Sequence, residues 1–325
     1  MERARSSLNR IMKMIVENKA KTGLLCLHHS TRFIVLAVTT SCCAMVMSNN
    51  LIYTFAVLYM DDLKIQMENS TEVHWLFDVR RNLLFTTSAI GNIIGTIPIP
   101  FLFRQIGIRN TFMIYGLISI LSTVSFPVMA SIQLYPLVVI MRFLQGFSVA
   151  ITVFGPDAVR LSWSKISEYR VFSTSFSISP QLAAIVSMPL SGFLCYSLLG
   201  WRYIFYIQGC LTAILFGLFG IYYEDHPKDH RGVSKEELHQ ITIDKPKSSV
   251  INSIPYLRII RSPRVIGIWI ASIGSSLAFN LFALLGPTYF IKILEVHVIW
   301  TGLFIGFGHF LLSFVKIFGD RIFES

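Results

Sequence analysis

Acidic side chains are missing from every long apolar run of this chain: each Asp and Glu lies between the runs or at their ends. An embedded carboxylate is the usual proton carrier of a membrane pump, so that chemistry has no host at mid-run. Charge is scarce altogether, at 14% of residues against about 25% in soluble domains. With 53% hydrophobic content, the 325 residues cannot be hidden in one soluble core. Cysteine is sparse too. Of five, Cys42, Cys43, Cys195 and Cys210 fall in apolar runs and Cys26 precedes the first, so no disulfide framework is implied. There is no phosphate loop, no complete Gly-x-Gly-x-x-Gly, no nucleophile elbow and no Cys-x-x-Cys, which argues against an enzyme and leaves no cofactor to expect. His28-His29 and the His226, His230 pair are too few for a metal site. No cleavable signal peptide is visible, because about thirty polar or basic residues precede the first run and that run is too long for a signal h-region.

What the chain does have is eight apolar stretches, each long enough for a hydrocarbon core of roughly 30 Å, which takes about 20 helical residues. They are Phe33 to Tyr59, Leu83 to Phe103, Thr111 to Ala130, Leu134 to Pro156, Val171 to Leu199, Tyr203 to Tyr223, Val265 to Phe290 and Trp300 to Phe318. The expected fold is all-α: a polytopic helical membrane protein with lipid as its solvent. Thr39 to Cys43 and Ser48 to Asn50 make the first run the most interrupted.

The 28 Lys and Arg against 18 Asp and Glu give +10, which in a soluble protein would raise nucleic acid as a partner. Here the surplus falls in alternate loops. Arg3, Arg5, Arg10, Lys13, Lys19, Lys21 and Arg32 share one side with Arg104, Arg109, Arg160, Lys165, Arg170 and the basic residues of 224–264. By the positive-inside rule that side is the cytosol, with the N-terminus in it, and no nucleic-acid role is needed. Asn69-Ser70-Thr71 is then a glycosylation acceptor in the first outer loop, in a plasma membrane or a vesicular or lysosomal one.

Spacing divides the chain into a cytosolic segment 1–32, a six-helix half 33–223, a cytosolic linker 224–264, and two helices at 265–325. The linker mixes both charge signs with four prolines, and Ser234 to Leu238 reads as a capped helix start.

Arg142 stands alone among the charges, since Tyr135 to Val153 is otherwise apolar or small. A guanidinium at membrane depth needs a cavity, a carbonyl or an anion. It is therefore either an anion contact at the bundle centre or a structural arginine tied to backbone carbonyls. Gln145 and Gly146 share its helical face. Near the loops, Arg104 and Arg109 are expected to pair with Glu168 or Asp157 in a gating cluster that also holds Arg170. His309 in the last run is a polar or proton-accepting site, and Lys316 is expected to snorkel to the surface. Gly91 with Gly95 and Gly302 with Gly306 read as packing seams. Pro156, Pro180, Pro189 and Pro287 read as helix breaks of a protein that rocks between states.

Several motifs, in order, resemble the major facilitator superfamily, and within it the anion/cation symporter branch that includes sialin, phosphate transporters and vesicular glutamate transporters. Arg142-Phe143-Leu144-Gln145-Gly146 is similar to the Arg-x-x-Gln-Gly of the fourth helix. Arg104, Gly107 and Arg109 resemble the loop between helices two and three. Met188-Pro189-Leu190-Ser191-Gly192, Gly200-Trp201-Arg202-Tyr203-Ile204-Phe205-Tyr206, Glu224-Asp225-His226-Pro227 and Gly286-Pro287-Thr288-Tyr289-Phe290 match the branch more specifically. The resemblance implies alternating-access transport of a small organic or inorganic anion, with Arg142 and Gln145 as substrate contacts and a coupling cation in symport.

The departures narrow this. Ser48 and Ser275 stand where vesicular carriers have arginines, Phe85 lies near a helix-two histidine position, Val149 takes a proton-linked Glu position, and Phe103 replaces a loop Asp. They speak against a proton-driven carrier of glutamate or sialic acid. Carriers of this kind place substrate between two complete halves, so two helices after the linker leave one wall of the site to be supplied. The competing expectation is a shortened, non-transporting membrane protein that acts through assembly with other chains or has no activity of its own.

Overall fold

Within lipid every backbone N–H and C=O must find its partner inside the chain, so apolar runs of this length have little choice but to become helices. The computed structural model describes residues 31–59, 73–132, 134–242 and 260–322, and among them no strand occurs. The first span is α1 (Thr31–Leu51) followed by α2 (Tyr53–Tyr59). The break between them falls at its polar interruption, where Thr54 Oγ1 turns back onto the Leu51 carbonyl at 2.8 Å and competes with the helical ladder. Next come α3 (Val73–Thr96) and α4 (Ile99–Ser131).

The predicted second run, Leu83 to Phe103, is thus divided between two helices at Ile97-Pro98, where proline removes a donor. α4 itself departs from helical geometry at Gly107, with φ 84°. A helix of ordinary residues would not bend that way, and a Cβ there would strike the Asp225 carboxylate. Gly107 therefore turns the chain from the second span into the third.

The fourth span is α5 (Tyr135–Val149) with α6 (Ile151–Trp163), and the fifth is α7 (Tyr169–Ser177) with α8 (Ser179–Tyr196). The sixth is α9 (Arg202–Tyr222). A short α10 (Lys235–Thr242) follows, capped as expected: the Glu237 amide donates to Ser234 Oγ at 3.1 Å. The seventh span runs through α11 (Pro263–Asn280), a π-helical turn Leu281–Leu285 and α12 (Gly286–Lys292), and the eighth is α13 (Val298–Ile322). Pro180 and Pro287 open helices, whereas Pro156 and Pro189 lie inside α6 and α8. Among the described residues seven helical stretches are long and apolar enough to cross a membrane, one fewer than the eight runs expected because α3 of the second span is not among them, and the chain is a multi-pass integral membrane protein.

Two glycine-lined seams bring backbones together. Gly146 of α5 meets the Ser88 carbonyl of α3, and Gly91 and Gly95 return the contact onto Phe143 and Phe147. Across α8 and α13, Gly302 meets the Met188 carbonyl and Gly192. Small residues serve here because lipid tails offer no hydrophobic drive between helices, leaving close van der Waals approach to hold them. α4 and α9 pack antiparallel through ring pairs, Phe112 tilted against Phe219 at 5.0 Å at one level and Phe126 stacked on Phe205 at 4.7 Å at another. α11 has no fully buried side chain and touches α13 through Phe279 near its C-terminal end.

Candidate functional site

Arg142 of α5 is aimed at the Asn50 carbonyl, two residues before the break in the first span, where the Ile52 amide still donates to the Ser48 carbonyl at 3.1 Å. Arg142 is 1% exposed. Its Nη1 donates to Gln145 Oε1 at 2.6 Å and reaches the Asn50 carbonyl at 3.4 Å, while Nε reaches the Leu84 carbonyl at 3.4 Å. The guanidinium lies 4.2 Å from the ring centre of Tyr53. Tyr53 is held edge-on by Phe85 at 4.9 Å and Phe126 at 5.8 Å, which fixes its face toward the cation. Asn50 is oriented in turn by Ser88, whose Oγ donates to Asn50 Oδ1 at 2.7 Å.

Of the two sequence readings of Arg142, these contacts are the ones expected of an arginine tied to backbone carbonyls. It is tied to carbonyls of the first and second spans, and no carboxylate among the described residues stands within ion-pair distance of it. The two carbonyl contacts are long against the short bond to Gln145. An incoming anion could replace them while Gln145 keeps the fork oriented. Asn50, Tyr53 and Ser88 were not singled out from the sequence. The polar interruption Ser48 to Asn50 was the signal, because polar residues in a span mark a functional or packing position.

The arginines expected to form a gating cluster find other partners. Arg109 pairs with neither Glu168 nor Asp157. Its Nη1 meets Glu224 at 3.1 Å, its Nε and Nη2 both donate to the Gly220 carbonyl, and its amide donates to Asp225 Oδ1 at 2.8 Å. The end of α9 delivers those acceptors directly beneath the Gly107 bend. Trp163 Nε1 and Ser162 Oγ add bonds to the Glu224 and Asp225 carbonyls. Asp157 is taken by Arg160 one turn along its own helix at 2.9 Å, and Glu168 by Arg32 at 2.9 Å. The Arg32 amide also reaches Glu237 of α10 at 3.3 Å, so the segment after α9 is strapped across this end of the bundle. Arg104 and Arg170 are exposed at the same end.

Arg109→Ala is expected to lower the stability of the detergent-solubilised protein by about 2 kcal/mol, chiefly through loss of the bonds to Gly220, since a half-exposed ion pair gives about 1 kcal/mol at most. Arg109→Lys should be nearly as costly in a thermal melt, because an ammonium cannot bridge Gly220 and Glu224 as the fork does.

His309 is fully buried in α13, its ring 5.2 Å from Phe279 and 5.3 Å from Phe282, with neither ring nitrogen hydrogen-bonded. It is remote in contact from Arg142. Lys316 is exposed and donates to the Ser177 carbonyl at 2.8 Å. Asn69 lies outside the described residues. No group of metal-ligating side chains occurs among the described residues.

Comparison with known proteins gives these features a family. The chain is 26% identical to the uncharacterized transporter slc-17.3 of Caenorhabditis elegans, over 74% of this chain and 46% of that protein. It is 29% identical to human sialin over 64% of this chain and 42% of sialin, and 30% identical to human sodium-dependent phosphate transport protein 1 over 74% and 50%. The chain thus spans about half the length of these relatives, or less. Its fold superposes on a crystal structure of a D-xylose-proton symporter with a TM-score of 0.59 at 15% identity, covering 90% of this chain and 69% of the other. The Major Facilitator Superfamily pattern matches residues 25–325, a range that includes all of the helical bundle just described, and the chain belongs to that superfamily.

Proposed function

We propose that the protein carries small organic or inorganic anions across a membrane by alternating access, with Arg142 and Gln145 as the anion contact and no enzymatic role. The observation that carries this reading is Arg142 itself: a fully enclosed guanidinium that faces carbonyls, an amide and a ring but, among the described residues, no counter-charge. An uncompensated cation at membrane depth is expensive, and an anionic solute is the partner that would relieve it. The names of the relatives, which include sialin and a sodium-dependent phosphate transport protein, agree with an anionic cargo. Symport with a cation is the finer form of the reading. In it, 33–223 forms one half, 224–264 the cytosolic linker and 265–325 part of the second half, with the N-terminus cytosolic and the membrane a plasma, vesicular or lysosomal one.

Proteoliposomes containing the purified chain test this. Saturable uptake of labelled phosphate or a small carboxylate is expected, accelerated by the same anion preloaded inside, while a neutral sugar is left behind. Folded protein that moves none of these anions would overturn the reading.

One observation favours assembly with other chains. α11 buries no side chain and leaves Ile268, Ile270 and Ile273 more than half exposed, so a helical partner has a face to meet. Crosslinking in membranes that yields only a monomer able to carry out the uptake would exclude that need.

A further inference from the structure

Gln208 sits in the middle of α9, is 0% exposed, and has a hydrogen-bond partner for neither Oε1 nor Nε2. Native proteins very rarely leave both ends of a buried amide unmet, least of all within a membrane span. A second group in the same state lies on the helix packed against α9. Thr123 of α4 is also 0% exposed, and its hydroxyl is unpartnered.

The register of α4 against α9 puts the two at one level. The helices run antiparallel: Phe112 meets Phe219, Gly116 meets Phe216, Gly209 meets Val124 and Phe126 meets Phe205. On that ladder Thr123 falls opposite Gln208. One turn away the same two helices present Ser119 and Thr212, and there the polar groups are satisfied, because Asn49 of α1 donates Nδ2 to both hydroxyls at 3.0 Å. The side chains on this interface are thus paired at one level and unpaired at the next.

We infer that Gln208 and Thr123 line an internal binding site for an ordered water between the first, third and sixth spans, closed at one end by Asn49, Ser119 and Thr212. The chemistry selects the ligand. The site needs an acceptor for the Gln208 Nε2–H and a donor for Oε1 at once. A bare cation could meet only the oxygens and an anion only the N–H, whereas water does both and can also bond the Thr123 hydroxyl. Three such bonds are what a buried water typically makes. Asn49 and Asn50 are consecutive, so this site and the Arg142 site share the residue pair just before the break in the first span.

The test uses the whole chain in nanodiscs and does not depend on transport. A density map that resolves ordered waters elsewhere in the bundle is expected to show one between Gln208 and Thr123, and a map that shows none there overturns the inference. Gln208→Leu should expel the water, strand the Thr123 hydroxyl and lower Tm by several degrees, and adding Thr123→Val should recover much of that loss. A dry amide predicts the opposite: Gln208→Leu would raise Tm, and the two changes would simply add. Sodium chloride that raises the wild-type Tm above its value in choline chloride, with no such gain in Gln208→Leu, would assign the site to a cation and overturn the water.

Discussion

Proteoliposomes bearing Arg142→Ala are expected to take up small anions at no more than about one-thirtieth of the wild-type efficiency. Truncating one member of a buried, hydrogen-bonded charge pair costs about 2–5 kcal/mol, and each 1.4 kcal/mol is about a tenfold loss. Arg142 is buried with no carboxylate partner among the described residues, so an anion would supply the opposite charge that it lacks there. Arg142→Lys keeps the charge but loses the planar fork that touches Gln145, Asn50 and Leu84 together. A loss of at least about tenfold is expected for lysine, read as initial uptake rates over a concentration series. Uptake that survives both substitutions would move the anion contact elsewhere and leave Arg142 as a staple across the break in the first span.

The other large effect is structural. Gly146→Leu should leave almost no monodisperse protein on size-exclusion chromatography of solubilised membranes. A Cβ at Gly146 would collide with the Ser88 carbonyl, its carbonyl carbon and its Cα, all of them backbone. A flexible side chain could swing aside, but a neighbouring helix must move as a unit. Overpacking in a core costs about 1–3 kcal/mol even where side chains can adjust. Here separation of α3 from α5 would also open the Gly91 and Gly95 contacts and shift Ser88, which orients Asn50 beneath Arg142. Gly217→Leu is the matched control, since nothing stands within 4 Å of a Cβ at that position. Normal elution of Gly146→Leu would show that the seam tolerates separation and would remove the close-packing argument.

The helical spans were readable in the residues because their cause is local. A run of apolar side chains has one way to satisfy its backbone in lipid, and Arg142 declares itself by being the charge that violates such a run. The glycine seams were readable for the same reason: a four-residue spacing puts two glycines on one helical face whatever the neighbour is. The capped start of α10 likewise needed only Ser234 and the amide of Glu237.

Partners across helices were a different matter. Arg109 could have met any nearby carboxylate, and it took Glu224 and the Gly220 carbonyl because the end of α9 comes to rest under the bend at Gly107. Asn50, Tyr53 and Ser88 converge on the Arg142 site only once helices distant in sequence settle into one packed register. Periodicity and composition act within a single helix and so could be read from the chain. Which side chains face one another depends on the rotation and depth of each helix against its neighbours, which arise from packing the whole bundle at once.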